Sequence, residues 1–254
     1  MKPLTVLPLP GIPLVQAGDD LAAFICDACA RAGITLQADD ILVLAQKIVS
    51  KAENCFVRLA EVTPSAQAEA LAEQVNKDPR LVEVILGDSA EVIRARPGVL
   101  IVQHRLGFIS ANAGIDHSNV SQKDGEVVLR LPLDPDSSAR RIRQQLGERL
   151  GVQPPVLIID SHGRPWRVGT YGVVIGLAGL HPVQDLRGEP DLFDVPLQYT
   201  DVGFADQIAA AASLVMGQAA EGCPAVVLRG LEFAVDETAS VADGLREKSK
   251  DLFR

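Results

Sequence analysis

The sequence predicts an α+β protein in which mixed sheets carry flanking helices and two subdomains share one unit. Capped, amphipathic stretches dominate residues 1–90, and short apolar runs bounded by turn signals dominate 98–180. The two kinds mix without the regular βαβ rhythm of a doubly wound sheet. The expected division puts about 1–95 with 200–254 in one subdomain and 96–199 in the other, within a single unit spanning 1–254.

Taken in order, residues 4–9 read as a strand closed by Pro10, Gly11, Ile12 and Pro13, where the prolines fix φ and the chain must turn. Asp19 and Asp20 open a helix to about Arg31, and Gly33 stands just past its end. Residues 40–46 form an apolar run of strand length, followed by Lys47 and Lys51, which share a face if the segment is helical. Thr63 before Pro64 reads as a helix start, and Asp78 before Pro79 restarts a helix over 79–86. Residues 98–114 predict two strands with a short turn, and 126–134 another. Asp134 or Asp136 then caps a helix whose Arg-rich face has to be solvated or ligand-facing. Residues 154–160 predict a buried strand ending on Asp160. The glycines of 169–180 suit a strand passing close to another backbone. An Ala-rich helix and a strand over 224–230 follow, and the polar tail from Glu237 is helical or frayed.

Composition narrows the function. A chain of 254 residues with 47% hydrophobic and 22% charged residues can bury a full core. Its net charge of −9 argues against a duplex nucleic-acid partner, so any anion has to be bound by local Arg, Lys and backbone N–H groups. Cys26 and Cys29 form a C-x-x-C on an apolar helix face without a second ligand pair, which reads as two core thiols. Four prolines interrupt the apolar N-terminus after Lys2, which makes a poor signal peptide. No apolar run approaches a membrane span, so the cytoplasm is expected.

Four stretches carry chemistry. In residues 112–120, Asp116 offers a hard anionic oxygen and Asn119 a neutral amide, ligand types that suit Mg²⁺ or Mn²⁺; an ordinary turn is the bland alternative. In residues 157–169, Asp160 and Ser161 arrive at a strand end and Gly163 permits a turn. Arg164 and Arg167 then follow, suited to a phosphate or carboxylate. Burying Asp160 without compensation is costly, which favours a functional reading there. Lys47 and Lys51 are phosphate contacts or a solvated pair. Gly217 and Gly222 bracket a loop that could offer N–H groups to a nucleotide and Gln218 as an oxygen ligand. His117 and His162 each sit beside a metal candidate, to orient it or simply to occupy a polar position.

These stretches together resemble the coenzyme F420-0:L-glutamate ligase family, with "LPGIPLVQAGDDL", "AQKIVSKAE", "NAGIDHSNV", "PLDPDSSARRIR", "IIDSHGRPWRVG", "VIGLAG" and "VMGQAAEGCPAVVLRG" falling in the family's order. The resemblance implies a GTP-dependent ligase that adds L-glutamate to the lactyl-phosphate tail of the deazaflavin F420-0 through an acyl phosphate. It also implies an intertwined homodimer, Mg²⁺ or Mn²⁺, and a monovalent cation such as K⁺. By that resemblance Asp116, Asp160, Ser161 and Gln218 bind metal. Nucleotide contacts fall to Pro10, Gly11, Ile12, Pro13, Gln46, Lys47, Lys51 and Asn119, and to the loop Met216, Gly217, Gln218, Ala219, Ala220, Glu221, Gly222 and Cys223. Asn119 thus moves from the metal to the nucleotide. Members often have Thr where Ser161 stands, can have an acid where Gln218 stands, and some carry hydroxyl residues at Gln46 and Lys47. Aromatic residues are 4% of the chain, so few rings are available to stack on a deazaflavin. The rival readings are the same GTP and metal machinery acting on a different carboxylate acceptor, and a nucleotide-binding regulatory protein without catalysis.

Overall fold

The computed structural model describes residues 3–123 and 125–252. Its strands are β1 (Thr5–Pro8), β2 (Ile41–Ala45), β3 (Phe56–Arg58), β4 (Ser89–Arg96), β5 (Val99–His104), β6 (Ile109–Ala111), β7 (Val127–Leu129), β8 (Val156–Arg164), β9 (Arg167–Ala178), β10 (Gln184–Asp185), β11 (Asp201–Val202) and β12 (Ala225–Arg229). Its helices are α1 (Leu21–Ala32), α2 (Gln46–Ala52), α3 (Ala66–Val75), α4 (Pro79–Gly87), α5 (Pro135–Leu150) and α6 (Phe204–Met216). The fold is α+β with mixed sheets, as the sequence predicts.

The central sheet runs β1-β12-β2-β8-β9. Only β2 and β8 are parallel; the other neighbours are antiparallel. The apolar run of β2 is buried on both sides. Leu42 and Leu44 pack with α1 and α5, while Ile41 and Val43 pack with α6. A run without polar alternation is what a strand covered by helices on both faces requires. Smaller layers complete the chain: α3 and α4 pack on the sheet β4-β5-β6, and β3 pairs with β7.

Caps follow the sequence closely. Asp20 accepts from the Ala23 N–H and Gly33 turns at φ 67°; Asp78 accepts from Arg80 N–H and Asp134 from Ser137 N–H. The glycines of β9 are required by close approach: a Cβ at Gly172 would meet the Ala209 carbonyl of α6 at 2.4 Å, and one at Gly176 would meet Pro135.

Five expectations are corrected. Ser65 rather than Thr63 caps α3, since its hydroxyl reaches the Ala68 N–H. The strand expected over 126–134 is confined to Val127–Leu129. Strand β4, which the sequence reading omits, pairs antiparallel with β5. Strand β8 passes through Asp160 to Arg164, so the turn falls at Pro165 and Trp166 instead of Gly163. The Arg-rich face of α5 is solvated at Arg140, Arg141 and Arg149, the last two paired with Glu53 and Asp20, but Arg143 is neither solvated nor ligand-facing: it is buried against Glu237. The tail forms short 3-10 turns at Val241–Gly244 and Lys248–Lys250; its last two positions lie outside the described residues. Among the described residues no helix is long and apolar enough to cross a membrane.

One buried group ties stability to pH. His104 is fully buried and stacks on Phe108 with ring centroids 4.9 Å apart. Its Nδ1 accepts from the Leu106 N–H, and its Nε2 has no partner among the described residues. A second proton would therefore face a backbone N–H. Burial pushes the imidazolium down to about 4, with the charges of Arg105, Arg130 and His162 adding to the fall and Asp88 opposing it. The neutral form is thus the folded form. Above the unfolded value, near 6.5, both states are neutral; between there and 4 the unfolded chain takes up a proton that the folded one refuses. Stability should fall by about 3 kcal/mol across that window. Urea melts at stepped pH should show this slope, and His104→Gln should flatten it.

Candidate functional site

The site lies where the ends of β1, β2 and β8 meet the start of β12, the sheet edge at which open α/β sheets hold ligands. Strand β2 runs directly into α2, so the first residues past its end, Gln46 and Lys47, are delivered to this edge. Asp116 arrives from the loop after β6, and its backbone exchanges two hydrogen bonds with Leu129, of 2.9 and 2.8 Å. That bridge fixes a loop residue as firmly as a strand would.

Asp116 meets α2 through both oxygens. Gln46 Nε2 donates to Oδ2 at 2.5 Å and Lys47 Nζ stands 2.7 Å from Oδ1. The Gln46 amide has one orientation, because the Asp116 carboxylate can only accept; its Oε1 then accepts from the buried Ser50 hydroxyl at 2.8 Å. Lys51, one turn on, donates to the Asn119 carbonyl at 2.7 Å, and the Asn119 amide donates to the Ala219 carbonyl at 3.1 Å. Lys47, Lys51, the 116–119 loop and the loop after α6 are therefore one connected unit. A cleft of about 280 Å³, lined by Asp116, His117, Asn112, Ile115 and Glu126 among others, opens beside it.

Asp160 and His162 lie two apart on β8 and share a face. A carboxylate can only accept, so His162 Nε2 donates to Asp160 Oδ2, at 3.1 Å. The His162 ring is buried and tilts against Phe108 at 5.2 Å between centroids. Sequence reasoning placed His162 beside the site without giving it this contact; the i,i+2 spacing on a strand was the available signal.

The two carboxyls respond oppositely. Burial pushes Asp116 up, Lys47 and Gln46 offset only part of the rise, and the Asp160 charge adds to it. Burial works on Asp160 too, but the hydrogen bond and charge of His162, the Ser161 N–H and Lys47 hold it below its ordinary value. Burial, followed by the neighbouring Lys47, pushes the Lys51 ammonium down.

Ser161 points to the other face of β8, where its hydroxyl donates to Gln218 Oε1 at 2.7 Å. The four metal candidates are thus gathered as two pairs, Asp116 with Asp160 and Ser161 with Gln218, and no hydrogen bond joins one pair to the other. All their donor atoms are oxygens, which suits a hard divalent cation, and the Lys47 ammonium, 2.7 Å from Asp116, also acts through its charge on Asp160. Among the described residues no three His, Cys, Asp or Glu side chains converge. The protein offers two carboxylates and leaves room for phosphate oxygens and water, the way Mg²⁺ is commonly held. The site residues therefore fit such an ion.

The loop after α6 folds on itself. Glu221 accepts from the Ala219 N–H, and a Cβ at Gly217, whose φ is 73°, would strike the Glu221 carboxylate. Cys223 closes the loop with its thiol toward the Ala225 carbonyl. The Pro10–Pro13 turn continues from β1 on the same edge, where Arg31 donates to the Gly11 carbonyl at 2.8 Å. Arg164 and Arg167 stand apart, beyond the sheet.

A family model described as F420-0:Gamma-glutamyl ligase matches residues 11–230. The chain belongs to that family. Relatives in this ligase family match nearly end to end. The coenzyme F420:L-glutamate ligase of Methanothermobacter thermautotrophicus is 46% identical over 252 residues, 99% of each chain. That of Methanopyrus kandleri is 42% identical, covering 99% of this chain and 98% of its own. That of Archaeoglobus fulgidus is 38% identical over 98% of this chain and 96% of its own.

Lys47 is the cation that makes Asp116 tolerable as a carboxylate. Lys47→Met should raise the Asp116 pKa further, read by carboxyl ¹³C NMR titration; an unmoved midpoint would show that Lys47 is not its partner in solution.

Proposed function

We propose that the chain is a GTP-dependent ligase that joins L-glutamate to the carboxylate of F420-0. The observation that carries this reading is the meeting of Asp116 and Asp160 with Lys47, Lys51 and the 217–222 loop at one sheet edge. It is supported by end-to-end similarity to proteins named for this ligation.

The reaction would balance in two steps. An oxygen of the acceptor carboxylate takes the γ-phosphoryl group of GTP, forming an acyl phosphate and releasing GDP. The glutamate nitrogen then attacks the carbonyl carbon and loses a proton as phosphate departs, leaving an amide. Charge crowding is the central obstacle, because GTP and both carboxylic substrates are anionic and the chain itself carries −9. Mg²⁺ or Mn²⁺, held by Asp116 and Asp160 and, on the opposite face of β8, by the neutral donors Ser161 and Gln218, would supply charge neutralisation and alignment there. Lys47 and Lys51 present two ammonium groups on one helix face to phosphate oxygens. The Met216–Cys223 loop and the Pro10–Pro13 turn supply backbone groups to the nucleotide. His162 holds Asp160 ionised and oriented, and Gln46 does the same for Asp116. A monovalent cation such as K⁺ belongs to the same proposal.

We also propose a homodimer. The excursion between β10 and β11 exposes Leu192, Phe193, Val195 and Tyr199, an apolar surface that a second copy would cover. Sedimentation should give twice the 27.0 kDa chain mass.

Incubation with GTP, Mn²⁺, glutamate and F420-0 should yield a product heavier by one or more glutamyl units in mass spectrometry. Absence of product, with turnover of another phosphodiester-tailed carboxylate, would move the acceptor assignment; GTP binding without phosphate release under any acceptor would favour a regulatory protein. Asp116→Ala and Asp160→Ala should each lower turnover by about 100-fold or more with the fold retained, since each removes charge at the metal rather than core packing. Mn²⁺ binding followed by electron paramagnetic resonance should weaken in parallel. Full activity in either variant would overturn the metal assignment.

A further inference from the structure

The β8–β9 hairpin continues past the sheet that anchors it. Its tip carries three exposed side chains, Arg164, Trp166 and Arg167. Arg164 and Arg167 are direct cross-strand partners. Side chains opposite each other in an antiparallel pair share a face at close range, and like charges so placed repel. Neither arginine has a carboxylate partner among the described residues. Arg164 instead lies over the Tyr171 ring at 4.6 Å, which sets its guanidinium on the same face as His162, the cross-strand partner of Tyr171. Between the arginines stands Trp166, the single tryptophan of the chain, 87% exposed and with φ at 66°. A bulky residue at positive φ is strained, and an indole this exposed buries almost nothing in return.

Asp160, His162 and Arg164 form one stripe along β8, with Tyr171 and Arg167 beside it on β9. Asp160 and Arg164 are four residues apart, about 13 Å at the rise of a strand. The long arginine side chains can shorten that span. The stripe therefore presents, in order, a carboxylate at the reaction edge, a pair of guanidinium groups, and an aromatic plate. An acceptor that matches it carries a reacting carboxylate, then a phosphodiester, then a flat aromatic ring. Two unpaired guanidinium groups side by side suit the two free oxygens of a phosphodiester, and neutralising them would remove their repulsion.

We propose that the hairpin tip is the acceptor subsite, in which Arg164 and Arg167 hold the phosphodiester of F420-0 and Trp166 stacks on its deazaflavin ring. The inference rests on the ligase reading for the identity of the acceptor. It assigns the specificity of the reaction to a segment distinct from the residues proposed for metal and nucleotide.

The test uses the full-length protein and two readouts. Fluorescence anisotropy of F420-0, without GTP or glutamate, gives its Kd; steady-state turnover gives KM for F420-0 and kcat. The paired substitution Arg164→Gln with Arg167→Gln should raise Kd and KM for F420-0 roughly tenfold or more. Trp166→Ala should do so less severely, and Trp166→Phe should restore part of the loss. The Kd for GTP and kcat at saturating F420-0 should not move. Tight F420-0 binding by the variants, with wild-type KM, would overturn the inference and leave the ligase reading standing. Loss of GTP affinity in place of F420-0 affinity would also overturn it, by assigning the tip to the nucleotide. If the wild type binds F420-0 without turning it over and the variants lose that binding, the subsite stands and the ligase reading falls. If the wild type neither binds nor uses F420-0, both fall.

Discussion

Two carboxylates cannot share a poorly hydrated sheet edge unless positive charge and hydrogen-bond donors stand with them, and this constraint organises the molecule around Asp116 and Asp160. The penalty is visible in the rise of the Asp116 pKa, to which both burial and the Asp160 charge contribute. The compensation comes from three separate parts of the chain. Helix α2 brings Lys47 and Gln46 to Asp116, the Ser50 hydroxyl donates to the Gln46 carbonyl behind it, and β8 brings His162 to Asp160. Because β2 and β8 are adjacent and parallel, Lys47 acts on both carboxylates at once. An arrangement in which one acid rises and its neighbour falls leaves a site where incoming cationic charge is welcome and a proton is held unequally.

The rest of the fold serves to keep these groups at fixed separations. Strand β2 is clamped on both faces by apolar residues, so the start of α2 has little freedom to shift. The 116–119 loop is bridged to Leu129 at one end and tied to Lys51 and Ala219 at the other. Gly172 lets β9 approach α6 closely, which sets the position of the loop that follows that helix. Each of these is a packing or backbone constraint, and together they bring segments separated by 70 to 100 residues to one edge.

What the sequence made legible was local. The apolar run at Ile41–Ala45 and the aspartate caps of α1, α4 and α5 each carry their physical cause within a few residues; the glycines of β9 signalled a close approach without naming its partners, Ala209 and Pro135. Lys47 and Lys51 were readable as a shared helix face, though their partners were not. What failed was non-local. Strand β8 overran its expected end because β9 goes on pairing with it beyond Asp160, through His162 and, after a register shift, at Arg164, and no signal inside 154–160 announces a partner that follows. Arg143 looked available until Glu237, 94 residues away, took both its terminal nitrogens. Thr63 and Ser65 are equivalent cap formers on paper; Ser65 wins because its hydroxyl also reaches Glu83 on α4. Ser161 and Asp160 were readable as neighbours at one strand end, but strand alternation turns them to opposite faces, and the partners they meet there, Gln218 and His162, were not readable.

The overrun of β8 has a structural consequence that the shorter strand would not. A strand ending at Asp160 would leave the following arginines on a loop, free to move relative to the carboxylates. A strand continuing to Arg164, paired throughout with β9, makes the distance between the reaction edge and the hairpin tip a property of backbone geometry. The two register shifts in that pairing adjust the twist without breaking the ladder, since paired residues resume beyond each of them. On the proposed reading, chemistry at one end and acceptor binding at the other are held by the same element. Contacts at the tip then hold the acceptor equally before and during reaction, so they act on KM for the acceptor and leave kcat unchanged.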